Sequence, residues 1–368
     1  MRKFNNLISQ YKKNKKNIDK SINQVLRDGN FIMGKEIYNL EEKLKKITNS
    51  KYCISVSSGT DALLISLMSL NIKPGDEVIT TSFSWISTAE VIVNLGAKPV
   101  FIDVDPNTGL IKESLIEKMI TKKTKAVIIV SLFGQIPNMN YINSICNKKK
   151  IPVIEDGAQS FGSKYKNKYS CNLTTLGCTS FFPTKNLGCY GDGGAIFTNS
   201  YKLQKACKEI RLNGKNKYNN FVRIGVQGRM DNLQASILLA KLKSFRKELK
   251  YRKYFADKYI KALKIYFPKI KIVGADNFYS SSWPSFNIIV KNRDKLKKFL
   301  ERNNILTKIY YDKPMPLYSP YSKYKKTKIY SAKDISKNIL SLPFGPYLNY
   351  QYQLKVIKLI MRYINKYE

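Results

Sequence analysis

The sequence predicts an α/β protein, a mainly parallel sheet covered by helices, followed by a smaller α+β domain. Three observations point there. From Cys53 to Glu155, apolar runs of strand length alternate with stretches of helical periodicity, the pattern of a parallel sheet whose crossovers are helices. At 368 residues the chain exceeds the usual size of one domain, so a large domain and a smaller one are expected. Beyond a long helical pattern that opens at Asp231, the regular alternation stops and strands and helices mix. The expected division is an arm and large α/β domain over residues 1–246, then a small α+β domain over 247–368.

Residues 1–50 read as helical, with an amphipathic stretch from Lys35 to Ile47 after a turn at Gly29-Asn30. They form an arm or outer layer without obvious chemistry. The strands of the alternating region are Cys53–Ser57, Glu77–Thr80, Pro99–Asp103, Ala126–Ser131 and Pro152–Glu155, with one helix opening at Asp61 and another closing at Leu95. Thr179–Phe182 and Gly194–Thr198 add two short strands, and a helix follows to about Arg211. Residues 212–227 are polar, basic and glycine-containing, which marks a loop able to reach a ligand. The helix from Asp231 keeps its apolar spacing to about Arg246. After it, Ile270–Val273 and Ser285–Val290 read as strands, and residues 292–303 and 350–365 as helices.

Composition excludes several classes of function. With 43% hydrophobic residues and charges spread throughout, the balance is globular. No run approaches the roughly 18 uninterrupted apolar residues of a membrane helix, so no membrane insertion is expected. The opening Met1-Arg-Lys-Phe-Asn-Asn-Leu lacks the apolar core of a signal peptide, and a cytoplasmic location is expected. Six cysteines without a CxxC pair, in a chain with no histidine, suggest neither a zinc site nor a disulfide framework, and no metal is expected. The missing histidine also removes Ser-His-Asp and Cys-His hydrolase mechanisms. The formal charge of +39 comes from lysines scattered through nearly every segment, with no nucleic-acid recognition motif beside them. Attraction of an anionic small substrate is the expectation, and nucleic acid is not an expected partner.

Ser180-Phe-Phe-Pro-Thr-Lys185-Asn-Leu-Gly188 sets a lysine amine in an apolar, glycine-flanked turn. Desolvation of that kind lowers an amine's pKa and suits it to a Schiff base with a carbonyl cofactor, although most lysines in so basic a chain are solvated. Asp156 closes the run Ile151–Asp156 at the end of a strand, where ligands of α/β sheets bind. An acid there can hold a ring nitrogen protonated, which turns pyridoxal phosphate into an electron sink, and Gln159 can bond the ring oxygen; the bland alternative is a capped turn with a solvated acid. Ser57-Ser-Gly59-Thr60-Asp-Ala62 follows a strand and opens a helix, which suits a phosphate and equally suits an ordinary Ser or Thr cap. Ser180 is placed to touch a phosphate, and Trp85 is either a flat surface for a cofactor ring or simple core.

Seven runs in this order resemble the DegT/DnrJ/EryC1/StrS family of pyridoxal-phosphate-dependent sugar aminotransferases: Ser58–Ala62, Pro74–Ile79, Phe101–Asp105, Glu155–Gln159, Ser180–Lys185, Gly191–Gly194 and Arg229–Ala235. Together they cover nearly the whole chain. The resemblance implies the type I aminotransferase fold, a homodimer with active sites at the subunit interface, and pyridoxal 5′-phosphate as cofactor, with pyridoxamine phosphate as its intermediate form. It implies that Lys185 carries the cofactor, that Asp156 pairs with the pyridine nitrogen and Gln159 with the ring oxygen, and that Trp85 lies against the ring. Gly59, Thr60 and Ser180 would bind the phosphate. Where the family has an asparagine that reaches the partner subunit's cofactor, this chain has Gln227, which keeps the amide and adds a methylene. Asn213 and the pair Tyr310-Tyr311 stand in loops where relatives often carry histidine, and the two tyrosines are candidate substrate contacts.

Within the family, the runs Ser170–Leu173, Gly177–Pro183 and Leu187–Gly191 look most like aminotransferases acting on UDP-2-acetamido-2-deoxy-3-keto-glucuronate in O-antigen synthesis. The implied donor is an amino acid, L-glutamate, and Arg229 is a candidate bidentate partner for a substrate carboxylate or phosphate. Other UDP- or dTDP-linked 3- or 4-keto-sugars are alternative acceptors. Lysine at position 185 separates the chain from relatives that are sugar dehydratases, which carry histidine there. The presence of both Asp156 and Lys185 separates it from a regulatory protein on the same fold.

Overall fold

The computed structural model describes residue 4 and residues 6–267, 270–275 and 280–367. Two helices come first, α1 (Leu7–Asp28) and α2 (Lys35–Thr48). Gly29 ends the first of them in the left-handed region at φ 64°, its N–H bonded to the Val25 carbonyl, so the helix stops at the expected turn. The alternating region follows as β1 (Tyr52–Val56), α3 (Gly59–Ser69), β2 (Glu77–Thr81), α4 (Ser87–Asn94), β3 (Lys98–Ile102), the short α5 (Ile116–Met119), β4 (Thr124–Val130), α6 (Met139–Lys148) and β5 (Val153–Asp156). A small hairpin, β6 (Lys164–Tyr165) and β7 (Lys168–Tyr169), precedes β8 (Leu176–Ser180), β9 (Gly194–Thr198) and α7 (Tyr201–Arg211). The remainder is α8 (Asn232–Tyr266), β10 (Lys271–Ile272), β11 (Phe286–Ile289), α9 (Arg293–Arg302), α10 (Tyr330–Asn338), β12 (Ile339–Leu342) and α11 (Tyr350–Tyr367).

Seven strands make one sheet in the order β1-β9-β8-β5-β4-β2-β3. β3, β2, β4, β5 and β8 pair in parallel, while β9 runs antiparallel to both β8 and β1. The reversal has a local cause. A parallel return needs a long crossover, usually a helix, and the segment between β8 and β9 contains none. Along β4, Ala126 and Ile128 pack into the cluster formed with α3 and α7, while Val127 and Ile129 pack with Ile142 and Cys146 of α6. That alternation, apolar on both faces, is what a sheet covered on both sides requires. Because β9 is reversed on both sides, β1 points the same way as the parallel strands, and β1, β2, β5 and β8 all end at one edge of the sheet.

The long helix α8 continues to Tyr266 and passes position 246 without a break. Phe255, Tyr259 and Leu263, four residues apart, pack against Phe286, Ile288, Leu340 and Leu342 of a three-stranded antiparallel sheet, β10-β11-β12. β12 lies outside the strands expected from the sequence; it is four residues long and fully buried. All six cysteines are buried free thiols. No helix among the described residues is long and apolar enough to cross a membrane.

Candidate active site

The site lies where the strands end. Ser58 caps α3, accepting the Asp61 N–H on Oγ at 3.0 Å, and Gly59 and Thr60 open the helix, where backbone N–H groups have no partner within the helix. Ser180, the last residue of β8, stands directly beside them: a Cβ on Gly59 would come within 2.6 Å of Ser180 Cβ. Gly194 at the start of β9 is as tightly set, since its Cβ would lie 2.3 Å from the Ser58 carbonyl. Thr60 Oγ1 donates to Ser87 Oγ at 3.0 Å, which brings the start of α4 to the same place. Two helix starts and a serine hydroxyl therefore converge on a cradle suited to an anion.

Asp156 ends β5 and is buried. Its carboxylate accepts Thr88 Oγ1 of α4 at 2.9 Å and the Ala158 N–H at 3.2 Å. Burial raises its pKa, and those two donors and the charge of Lys185 pull it back. Lys185 sits in the turn after β8, held by a hydrogen bond from its N–H to the Phe182 carbonyl at 2.9 Å. Burial lowers the pKa of its amine and the carboxylate of Asp156 opposes the shift. Each member of the pair is driven toward its neutral form by the interior and toward its charged form by the other.

The adjacent acid, Glu155, points to the opposite face of the strand. There it accepts Ser131 Oγ at 3.0 Å, Ser170 Oγ at 2.6 Å and the Cys171 N–H at 2.8 Å, and burial pushes its pKa up to about 7. One wall of the site is aromatic. Gln159 accepts the Phe133 N–H on Oε1 at 3.0 Å and donates through Nε2 to Tyr311 OH at 2.9 Å. Tyr311 in turn faces Phe83 and Trp85, with ring centroids 6.0 and 6.1 Å away, and Tyr310 follows at 5.8 Å. Trp85 is 60% exposed, so a ring face stays open.

Of the residues singled out in the sequence, Asp156 and Lys185 come together as a pair, Gly59, Thr60 and Ser180 as the cradle, and Trp85, Gln159, Tyr310 and Tyr311 as the wall. Gln227 and Arg229 join none of these groups through a side chain. They belong to the segment between α7 and α8, where Gln227 is exposed, Arg229 Nε is buried without a partner, and the Gly228 carbonyl accepts the Ser57 N–H at 2.9 Å. Among the described residues no hydrogen bond or ion pair joins either side chain to Asp156, Lys185 or the cradle. Thr88 and Ser87 were not singled out, although both stand in or beside the Trp85 run; a hydroxyl in a helix's first turn reads as a cap, and nothing local ties it to an acid 68 residues away.

The DegT/DnrJ/EryC1/StrS aminotransferase family matches this chain over residues 12–361. The chain is similar to the UDP-2-acetamido-2-deoxy-3-oxo-D-glucuronate aminotransferase of Pseudomonas aeruginosa, at 43% identity over 350 residues, 95% of this chain and 96% of the relative. It is also similar, at 37% identity over 97% of both chains, to a protein of Geobacillus stearothermophilus named a pleiotropic regulatory protein. Among solved structures, a DegT DnrJ EryC1 StrS aminotransferase from Brucella abortus superimposes with a TM-score of 0.94 at 35% identity, over 99% of both chains.

Proposed function

The chain belongs to the DegT/DnrJ/EryC1/StrS aminotransferase family, and on that premise we propose that it moves an amino group from L-glutamate to UDP-2-acetamido-2-deoxy-3-keto-glucuronate, in the cytoplasm, for a surface polysaccharide. At the coarser level it is a pyridoxal-phosphate-dependent aminotransferase of nucleotide-linked keto-sugars. The observation that carries the reading is the pairing of buried Asp156 with half-buried Lys185 beside the Gly59 and Ser180 cradle. The choice of acceptor rests on likeness to the Pseudomonas enzyme. A purely regulatory protein would have no use for that pair.

The residues present fit the cofactor. Gly59 leaves open the space that a Cβ would fill, next to a hydroxyl and two helix starts, which suits the phosphate. Asp156 offers a carboxylate for the ring nitrogen, Gln159 an amide for the ring oxygen, and Trp85 an open aromatic face. When bound, pyridoxal phosphate supplies the conjugated ring that takes up the electron pair freed at the substrate carbon and carries the amino group between the two substrates.

Lys185 Nζ anchors the cofactor and works as acid and base. Burial lowers its pKa, which enlarges the neutral fraction able to take a proton from the substrate carbon and return it. Burial pushes the Asp156 carboxyl up, and the hydrogen bonds from Ala158 and Thr88 oppose that push, so they favour the charged form that would face the ring nitrogen. Tyr310 and Tyr311 touch the sugar, and Arg229 meets a carboxylate or phosphate of the sugar nucleotide. Gln227 reaches the site of a second subunit, so the working form is a homodimer with shared sites.

Protein loaded with cofactor is expected to lose its visible absorbance with glutamate and to recover it with a UDP-3-keto-uronate, within a panel of UDP- and dTDP-linked 3- and 4-keto-sugars. Recovery with another sugar alone would reject the acceptor. Lys185→Ala is expected to cut turnover about 100- to 10,000-fold or more, and full turnover by that variant would remove Lys185 from the chemistry.

A further inference from the structure

A cavity of about 500 Å³ lies where the amino-terminal segment and the residues after β12 meet the Lys185 turn. Leu7 and Gln10 of α1, Lys185, Phe344, Tyr347 and Arg252 of α8 all line it. Arg252 is only 6% exposed. Its hydrogen bonds leave from Nη1, to the carbonyls of Trp283 at 3.1 Å and Pro284 at 3.5 Å, while its Nε is buried without a partner. Burial lowers the guanidinium to about 10, which keeps it charged at neutral pH.

Two other charges lie near it. The carboxylate of Glu248 acts on Arg252 through space but is engaged by Tyr347 OH at 2.6 Å and Ser244 Oγ at 2.7 Å. Lys241, buried as well, feels both Glu248 and Arg252, and its amine donates to Gln10 Oε1 at 2.8 Å and to the Gly188 carbonyl. Two cations and one carboxylate leave a surplus of one positive charge under a cavity that Lys185 borders. A buried charge without a matching partner is costly, and a singly charged anion removes that cost.

We propose that this cavity is a carboxylate subsite, in which Arg252 receives the acid group of a substrate whose reacting end lies at Lys185. The inference rests on the aminotransferase reading. A carboxylate suits the place better than a diphosphate does, because it brings one charge to a surplus of one and its two oxygens match an edge of a guanidinium. The apolar walls from Leu7 and Phe344 accommodate the carbon chain behind it. Both substrates of the proposed reaction carry such a group, the dicarboxylic donor and the uronate sugar.

Calorimetric titration of the cofactor-loaded protein with glutarate and with glucuronate reads the subsite without turnover. At least one is expected to bind, and neutral glutaramide is not. Tighter glutarate assigns the subsite to the donor, and tighter glucuronate assigns it to the sugar. Arg252→Met is expected to weaken binding tenfold or more and Arg252→Lys to retain part of it. Leu7→Trp fills the cavity from α1, keeps Arg252, and is expected to weaken binding as much; it carries the test if the Arg252 variants do not fold. Absence of binding by the wild type, or unchanged binding in Leu7→Trp, overturns the subsite. Arg252-dependent glutarate binding by a wild-type protein that fails to transaminate overturns the aminotransferase reading and leaves the subsite standing.

Discussion

Glu155 and Asp156 are neighbours in the chain with opposite surroundings. The strand turns one into the site and the other into the protein, where three donors hold it. With its pKa raised to about 7, Glu155 binds a proton more tightly folded than unfolded, so its own contribution to stability is full below the usual glutamate range and is lost as pH rises through about 7. In urea unfolding across that window, Glu155→Gln is expected to flatten the decline, because the amide does not titrate, and with its oxygen toward the Cys171 N–H its NH2 can donate to the Ser131 and Ser170 hydroxyls. An identical decline in wild type and variant would move the titration elsewhere. Lys185 and Asp156 were legible in the sequence because their immediate neighbours mark them: Phe181, Phe182 and Gly188 around one, an apolar strand before the other. Thr88 was not, because its partner is brought to it only by the folding of β5 against α4.

The start of α3 shows how an element makes a site. A strand ending in Ser-Ser-Gly-Thr and a helix opening at Gly59 follow from local pattern, and sequence left open whether the turn was more than a cap. Packing against β8 sharpens the question, since Gly59 touches Ser180 where a methyl group has no room. Gly59→Ala is expected to push α3 away from β8 at a cost of about 1–3 kcal/mol. Cofactor affinity should fall roughly tenfold or more, since about 1.4 kcal/mol is a factor of ten; a titration within twofold of wild type would place the phosphate elsewhere. Strands β1 to β5 were legible because short continuous apolar runs, set between helical patterns, need no distant partner to be seen. The second half of α8 and all of β12 were not, since lysine, arginine and tyrosine crowd the helical spacing of Phe255, Tyr259 and Leu263, and a four-residue strand carries too little pattern.

For the whole molecule, the segment between α7 and α8 leaves Phe221 69% and Ile224 86% exposed, with Arg229 Nε unpaired nearby in sequence. Exposed apolar side chains grouped in this way are what a second subunit would cover. Ile224→Glu is expected to turn a dimer into a monomer in sedimentation and to remove activity with it, whereas a fully active wild-type monomer would end the shared-site proposal. By itself the sequence determined the α/β class and the kind of chemistry, because apolar periodicity and contiguous motifs act over a few residues. Only the tertiary structure decided that β9 runs backwards, that Thr88 steadies Asp156, and that Arg252, 67 residues beyond Lys185 by their numbers (252 − 185), lines the same cavity. Those facts depend on segments far apart in the chain meeting in space, and no local period records such meetings.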